Sequence, residues 1–179
     1  FGLKSWRRRR VLRHHRIPAP VWRGALDYAP FLNGLSAEEL ARLRGLVVLF
    51  LHEKDTRGVA GFDMTDAKRC TIAVQACLPI LNLGFDYYDG WSSVIVYPGQ
   101  FRARHEYTDE HGVAHATAED LAGESWDAGP VVLSWEDVIR AGDDAAWGVN
   151  LVIHEFAHKL DMLNGAPNGM PPLHRDMRV

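Results

Sequence analysis

Residues 146–165 read AWGVNLVIHEFAHKLDMLNG, and this stretch limits what the chain can become more than any other. It contains His-Glu-x-x-His as His154, Glu155 and His158, with aliphatic residues before the motif and no Pro or Gly inside it. With Val149 at zero on a wheel of about 100° per residue, Val152, Ile153, Phe156, Leu160 and Leu163 fall within about 60° of it. They form one apolar stripe. His154 and His158 fall at about 140° and 180°, flanked by Trp147 and Leu151. The pattern predicts a helix buried along one side and lining a cleft along the other.

The spacing carries chemistry. Residues four apart stack on one helix face, so both imidazoles can offer a nitrogen to a single ion. Zinc takes such nitrogens at about 2.0–2.1 Å. Glu155 lies about 100° around from His154, poorly placed to ligate with the pair but well placed to take a proton from water activated beside them. The extended metzincin pattern needs Gly three residues after the second His and His six after it. Asp161 and Asn164 stand there instead. Asp161 falls at about 120°, on the histidine side, and is assigned an outer role in orienting His158 or an incoming partner. His174 behind two prolines is a weak alternative ligand, and His111 with His115 reads as loop rather than a second metal site.

Composition sets the frame. The chain has 179 residues, 47% hydrophobic, with six Trp, five Tyr and seven Phe, enough for one substantial core. Its first 16 residues hold seven Lys or Arg and no acid, and the remaining 163 carry a net charge of −10. Residues 1–17 are expected as a poorly ordered basic tail, with 18–179 forming the domain. A basic run on an acidic body can touch nucleic acid, anionic lipid or an acidic partner. No groove-reading motif supports nucleic acid, and the apolar run Leu46–Leu51 is too short to span a bilayer, so neither nucleic acid nor membrane is an expected partner. A secretory signal is absent from the pattern, since no apolar stretch follows the charges. Cys70 and Cys77 stand seven residues apart in a helical pattern, about 10 Å along the axis and beyond disulfide reach. Buried thiols of a reducing compartment are expected, and hence a cytoplasmic location.

Along the chain, IPAPVWRGALDYAPFLNG is expected to wander over the surface between Pro and Gly punctuation. Ser36 and Glu39 form a capping box for a helix reaching about Lys54, with Leu40, Leu43, Val47 and Phe50 on one stripe. DTRGVAGFDM reads as loop. Asp63 or Thr65 caps a second helix that Pro79 kinks or ends. Val94–Val96 and Val131–Leu133 read as strands, with a possible hairpin between them. Ser134 caps a short helix reaching Arg140, and Asp143 or Asp144 opens the motif helix. Helices around a small, mainly antiparallel sheet give an α+β fold.

VIHEFAHKLDMLNG, followed by NGMPPL, resembles the zinc-peptidase family of the bacterial Mlc titration factor A. QACLPILNLGFDYYDGW, VIVYP and GPVVLSW are similar to that family's upstream segments, so the likeness covers nearly the whole chain. The resemblance implies a zincin-like core and a gluzincin site, with one Zn²⁺ per chain. His154 and His158 match the ligands and Glu155 the catalytic base; the third ligand is an expected Glu beyond residue 179, so the domain is expected to be C-terminally incomplete. It also implies aminopeptidase-like hydrolysis of peptides in the cytoplasm and binding of the glucose-responsive repressor Mlc.

Two functions follow as expectations. One is a zinc peptidase, its peptide expected to be held by strand addition to an edge strand at Val94–Tyr97. The other is a repressor-binding module in which zinc is secondary, with the basic tail and the aromatics of DYYDGW (Tyr87, Tyr88, Trp91) as contacts.

Overall fold

A computed structural model of the chain describes residues 2–99, 106–108, 114–116, 129–144, 148–165 and 169–172. The expected tail is instead a helix, α1 (Leu3–His14). Its anchor is Arg8, only 7% exposed. The guanidinium donates to both carboxylate oxygens of Glu53 at 2.8 Å, to Asp89 at 2.8 Å and to Asp86, and it sits 4.8 Å from the Phe85 ring centroid. A buried arginine is tolerable only with its donors satisfied in this way. The segment expected to wander over the surface also folds. It forms α2 (Ala19–Asp27) and a 3₁₀ turn, Pro30–Gly34, and buries Trp22, Ala25, Ala29 and Leu32. Pro20 stands in the first turn of α2, where its missing N–H costs nothing.

The next helix, α3 (Ala37–Glu53), starts as its sequence dictates. Ser36 Oγ accepts from Glu39 N at 3.2 Å, and the Glu39 carboxylate accepts from Ser36 N at 2.8 Å. Leu43, Val47 and Phe50 are wholly buried along its stripe, and Leu40 is half-buried. Lys54 follows as the C-cap; its ammonium donates to the carbonyls of Tyr88 and Trp91 and lies 3.9 Å from the Trp91 ring centroid. Burial pushes its pKa down to about 8, against the pull of Glu53 and Asp89.

The sheet corrects the expectation of antiparallel strands. DTRG is not loop but β1 (Asp55–Gly58), which pairs in parallel with β2 (Ser93–Tyr97). Parallel neighbours need a long crossover, and α4 (Asp66–Cys77) supplies it, so β1, α4 and β2 form a βαβ unit. Thr65 Oγ1 caps α4 by accepting from Lys68 N, and the helix ends two residues before Pro79. Gly58 is required where it stands: a Cβ there would lie 1.9 Å from the carbonyl oxygen of Phe62. A short antiparallel pair, β3 (Glu106–Thr108) and β4 (Ala114–Ala116), follows. The next strand, β5 (Val131–Ser134), pairs in parallel with the other edge of β2, giving the order β1-β2-β5. Val94–Tyr97 is therefore a central strand. Both of its edges are taken, and it offers nothing for strand addition by a peptide.

The last two helices are α5 (Trp135–Asp144) and α6 (Leu151–Asp161), the latter followed by a 3₁₀ turn, Met162–Asn164. Ser134 Oγ accepts from Asp137 N at 3.4 Å at the start of α5, which runs past Arg140 to include Asp143 and Asp144. Those two aspartates close α5 rather than open α6. Cys70 and Cys77 are free, wholly buried thiols, and burial pushes the Cys70 thiol up to about 11. Among the described residues no helix is long and apolar enough to cross a membrane.

Candidate metal centre

The motif helix is seated from its first residue. Asn150, with extended backbone, caps α6: its side-chain oxygen accepts from Ile153 N at 2.9 Å. The other end of that amide donates to Gln75 Oε1 at 3.3 Å, and Gln75 Nε2 donates to the Val138 carbonyl at 2.9 Å. Gln75 is wholly buried in α4, so one satisfied amide ties α4, α5 and the N-terminus of α6 together.

One side of α6 packs as the wheel predicts. Val152 and Phe156 are wholly buried and Leu160 nearly so. Phe156 lies 5.8 Å, centroid to centroid, from each of Phe50, Tyr88 and Trp91. Tyr88 donates its hydroxyl to the Ala76 carbonyl at 2.5 Å. This aromatic cluster joins α3, the 3₁₀ turn Phe85–Tyr88 and α6. Tyr87, Tyr88 and Trp91 are thus core residues, 9% exposed or less, and not exposed contacts for a partner. Lys159 fixes the helix from another direction, its ammonium donating to the Gly129 carbonyl at 2.7 Å just before β5. Val149 and Leu163, assigned to the apolar stripe from sequence, lie outside α6 and are exposed. Leu151 is half-buried, and Trp147 lies outside the described residues.

The other side of α6 carries the motif. His154, Glu155 and His158 are all half-buried. The two imidazoles stand edge to face, with ring centroids 4.5 Å apart and planes at 85°. Their Nε2 atoms converge to 3.0 Å. Two nitrogens bound to one tetrahedral zinc at 2.0–2.1 Å would stand about 3.3 Å apart, so the pair matches a shared ion within a few tenths of an ångström. The donor chemistry fits as well, since neutral imidazole is a favoured zinc ligand. Among the described residues, however, no third His, Cys, Asp or Glu joins them in a metal-binding cluster.

Asp161 contacts the segment that follows α6. It is buried at the end of α6, and its Oδ2 accepts from Gly169 N at 2.8 Å. Asn164 Nδ2 donates to the Met170 carbonyl at 2.8 Å. The two bonds hold the following segment against the end of the motif helix. Asp161 Oδ1 is buried with no hydrogen-bond partner among the described residues. The side chains of His111, His115 and His174 lie outside the described residues.

Sequence reasoning passed over Gln75 and Asn150, although both left a signal. Asn150 stands one residue before an aliphatic run, in the place where an N-cap belongs. Gln75 interrupts the apolar run TIAVQACL of a helix, and a buried amide there needs partners.

Comparison with known proteins now adds to the geometry. A family model described as glucose-regulated metallo-peptidase M90 matches residues 3–179. The chain is 39% identical over 167 residues to a protein of Salmonella agona named Mlc titration factor A, covering 93% of this chain and 61% of that protein. It is 42% identical over 153 residues to a protein of the same name from Escherichia fergusonii, covering 85% of this chain and 57% of that one. The chain thus spans about three fifths of the length of these relatives. With the match running through nearly every residue and the His-Glu-x-x-His helix inside it, this chain belongs to the glucose-regulated metallo-peptidase M90 family.

Proposed function

We propose that the chain carries the two-histidine and general-base part of a zinc peptidase centre that hydrolyses peptides in an aminopeptidase-like reaction. The observation that carries this reading is the 3.0 Å convergence of His154 Nε2 and His158 Nε2 on one half-buried face of α6, with Glu155 next to the first of them. His154 and His158 would hold one Zn²⁺. The metal, when bound, polarises a scissile carbonyl and makes a nearby water more acidic. Glu155 accepts the proton of the attacking water and delivers it to the leaving amine. Asp161 acts outside the ligands by holding the segment that follows α6. The remaining protein ligand is a Glu supplied from the part of the relatives' length that this chain does not span, and the reaction takes place in the cytoplasm.

Replacement of Glu155 by Gln tests the base. In a chain extended to the relatives' length, Glu155→Gln keeps its zinc and loses peptide hydrolysis by about 100-fold or more. Hydrolysis near the wild-type rate sinks the mechanism.

A second reading, a titration module for the repressor Mlc, is supported by the name of the relatives, Mlc titration factor A. The same variant separates the two. Capture of Mlc by Glu155→Gln at wild-type strength makes binding independent of hydrolysis; loss of both together makes them one function.

A further inference from the structure

The helix α1 carries more basic charge than its anchoring uses. Arg8 faces the body and is saturated by Glu53, Asp86 and Asp89, and Lys4 pairs with Asp89. Relative to Trp6, at about 100° per residue, Leu3, Arg9, Arg10 and Arg13 all fall within about 60°, whereas Arg8 falls at about 160° on the far side. Leu3 is 73% exposed and Trp6 47%, and Arg7, Arg9, Arg10, Arg13 and Arg16 are exposed as well. Trp6, Arg9, Leu12 and Arg13 line a surface groove, and the Arg10 guanidinium lies 5.7 Å from the Trp6 ring. Among the described residues no carboxylate pairs with Arg7, Arg9, Arg10 or Arg13. The helix is therefore a fixed platform that shows one exposed face of arginines with two large apolar side chains, Leu3 and Trp6, toward its start.

We propose that this face of α1 docks on an anionic lipid surface, with Leu3 and Trp6 entering the headgroup boundary and Arg9, Arg10 and Arg13 contacting lipid phosphates. Charge complementarity selects a polyanion, since four or more basic side chains clustered on a helix attract an anionic leaflet. The apolar pair selects lipid among polyanions. Trp settles at membrane–water interfaces, and an exposed Leu beside it gains burial there that a nucleic-acid backbone does not offer. The remaining body is net negative, so its repulsion orients the molecule with α1 toward the membrane.

The test is co-sedimentation of the chain with vesicles of mixed phosphatidylglycerol and phosphatidylcholine, and with phosphatidylcholine alone, at about 0.1 M salt. The wild-type chain pellets with the anionic vesicles and stays in solution with the zwitterionic ones. Combined Arg9→Glu, Arg10→Glu and Arg13→Glu weakens vesicle binding by about 100-fold or more, at roughly one order of magnitude per arginine or a little less. Trp6→Ala weakens it severalfold with charge unchanged. All these positions are exposed, and circular dichroism confirms that α1 persists; the milder Arg9→Gln, Arg10→Gln and Arg13→Gln set serves if charge reversal unfolds it. Failure of the wild type to pellet with anionic vesicles overturns the proposal. So does binding that ignores these substitutions, or preferential capture of an oligonucleotide with no dependence on Trp6.

Discussion

The Asn150 side-chain amide donates to Gln75 Oε1 at 3.3 Å while its oxygen caps α6, so the start of the motif helix is set by a residue 75 positions earlier in the chain. The position of His154 and His158 follows from that seat and from the packing of Phe156 below them.

Removing the seat has a defined cost. Gln75→Leu leaves the Val138 carbonyl and the Asn150 amide without their buried partner, a loss of about 1–3 kcal/mol. Asn150→Ala removes the cap as well as the link, at about 1 kcal/mol. Because the residues share one network, the double variant loses less than the two single losses added together. Urea unfolding of the four proteins measures this, and strict additivity would argue against the link.

Phe156 is the packing counterpart. It is wholly buried against three aromatic rings, so Phe156→Ala costs about 3–5 kcal/mol through lost burial and the cavity left behind. Thermal unfolding reads the loss; a cost below about 1 kcal/mol would mean that the aromatic cluster does not hold the helix.

The clasp between α1 and the body predicts acid sensitivity. The hydrogen bonds from Arg8 hold the Glu53 carboxyl below its ordinary value, against the effect of burial. Burial raises the Asp89 carboxyl, but hydrogen bonds from Lys4 and Arg8 outweigh it and leave that group lowered too. For groups lowered on folding, the unfolded chain takes up protons first as pH falls. Their contribution is whole above the ordinary values of 4.5 and 3.8 and is lost as pH drops through the lower folded ones. Glu53→Gln therefore lowers the melting temperature at pH 7, and the gap to wild type narrows as pH falls below about 4. A gap that stays constant from pH 7 to pH 3 would place the stabilisation elsewhere.

Local signals in the sequence are decisive where local chemistry decides the outcome. The capping box at Ser36 and Glu39, the Thr65 cap and the buried side of α6 through Val152, Phe156 and Leu160 all stand as their residue types dictate. The sheet direction was not legible, because DTRG is short and polar and lacks the β-branched pattern of a strand. It becomes β1 through pairing with Ser93–Val96, a tertiary effect. Without β1, α4 does not read as a crossover, and Val94–Tyr97 reads as an edge strand. Arg8 was hidden for a related reason. In an Arg run nothing local distinguishes the one side chain whose three acidic partners lie 45 to 81 residues away. The convergence of His154 and His158 is legible because i, i+4 spacing on a helix is itself the geometry.

The central claim is a shared ion between His154 and His158. Its most direct measurement is zinc content after exhaustive dialysis, in a chain extended to the relatives' length. One zinc per chain is predicted for the wild type and for Glu155→Gln, with none retained by His154→Ala or His158→Ala variants that still fold. Full zinc in either histidine variant, or none in the folded wild type, would contradict the account.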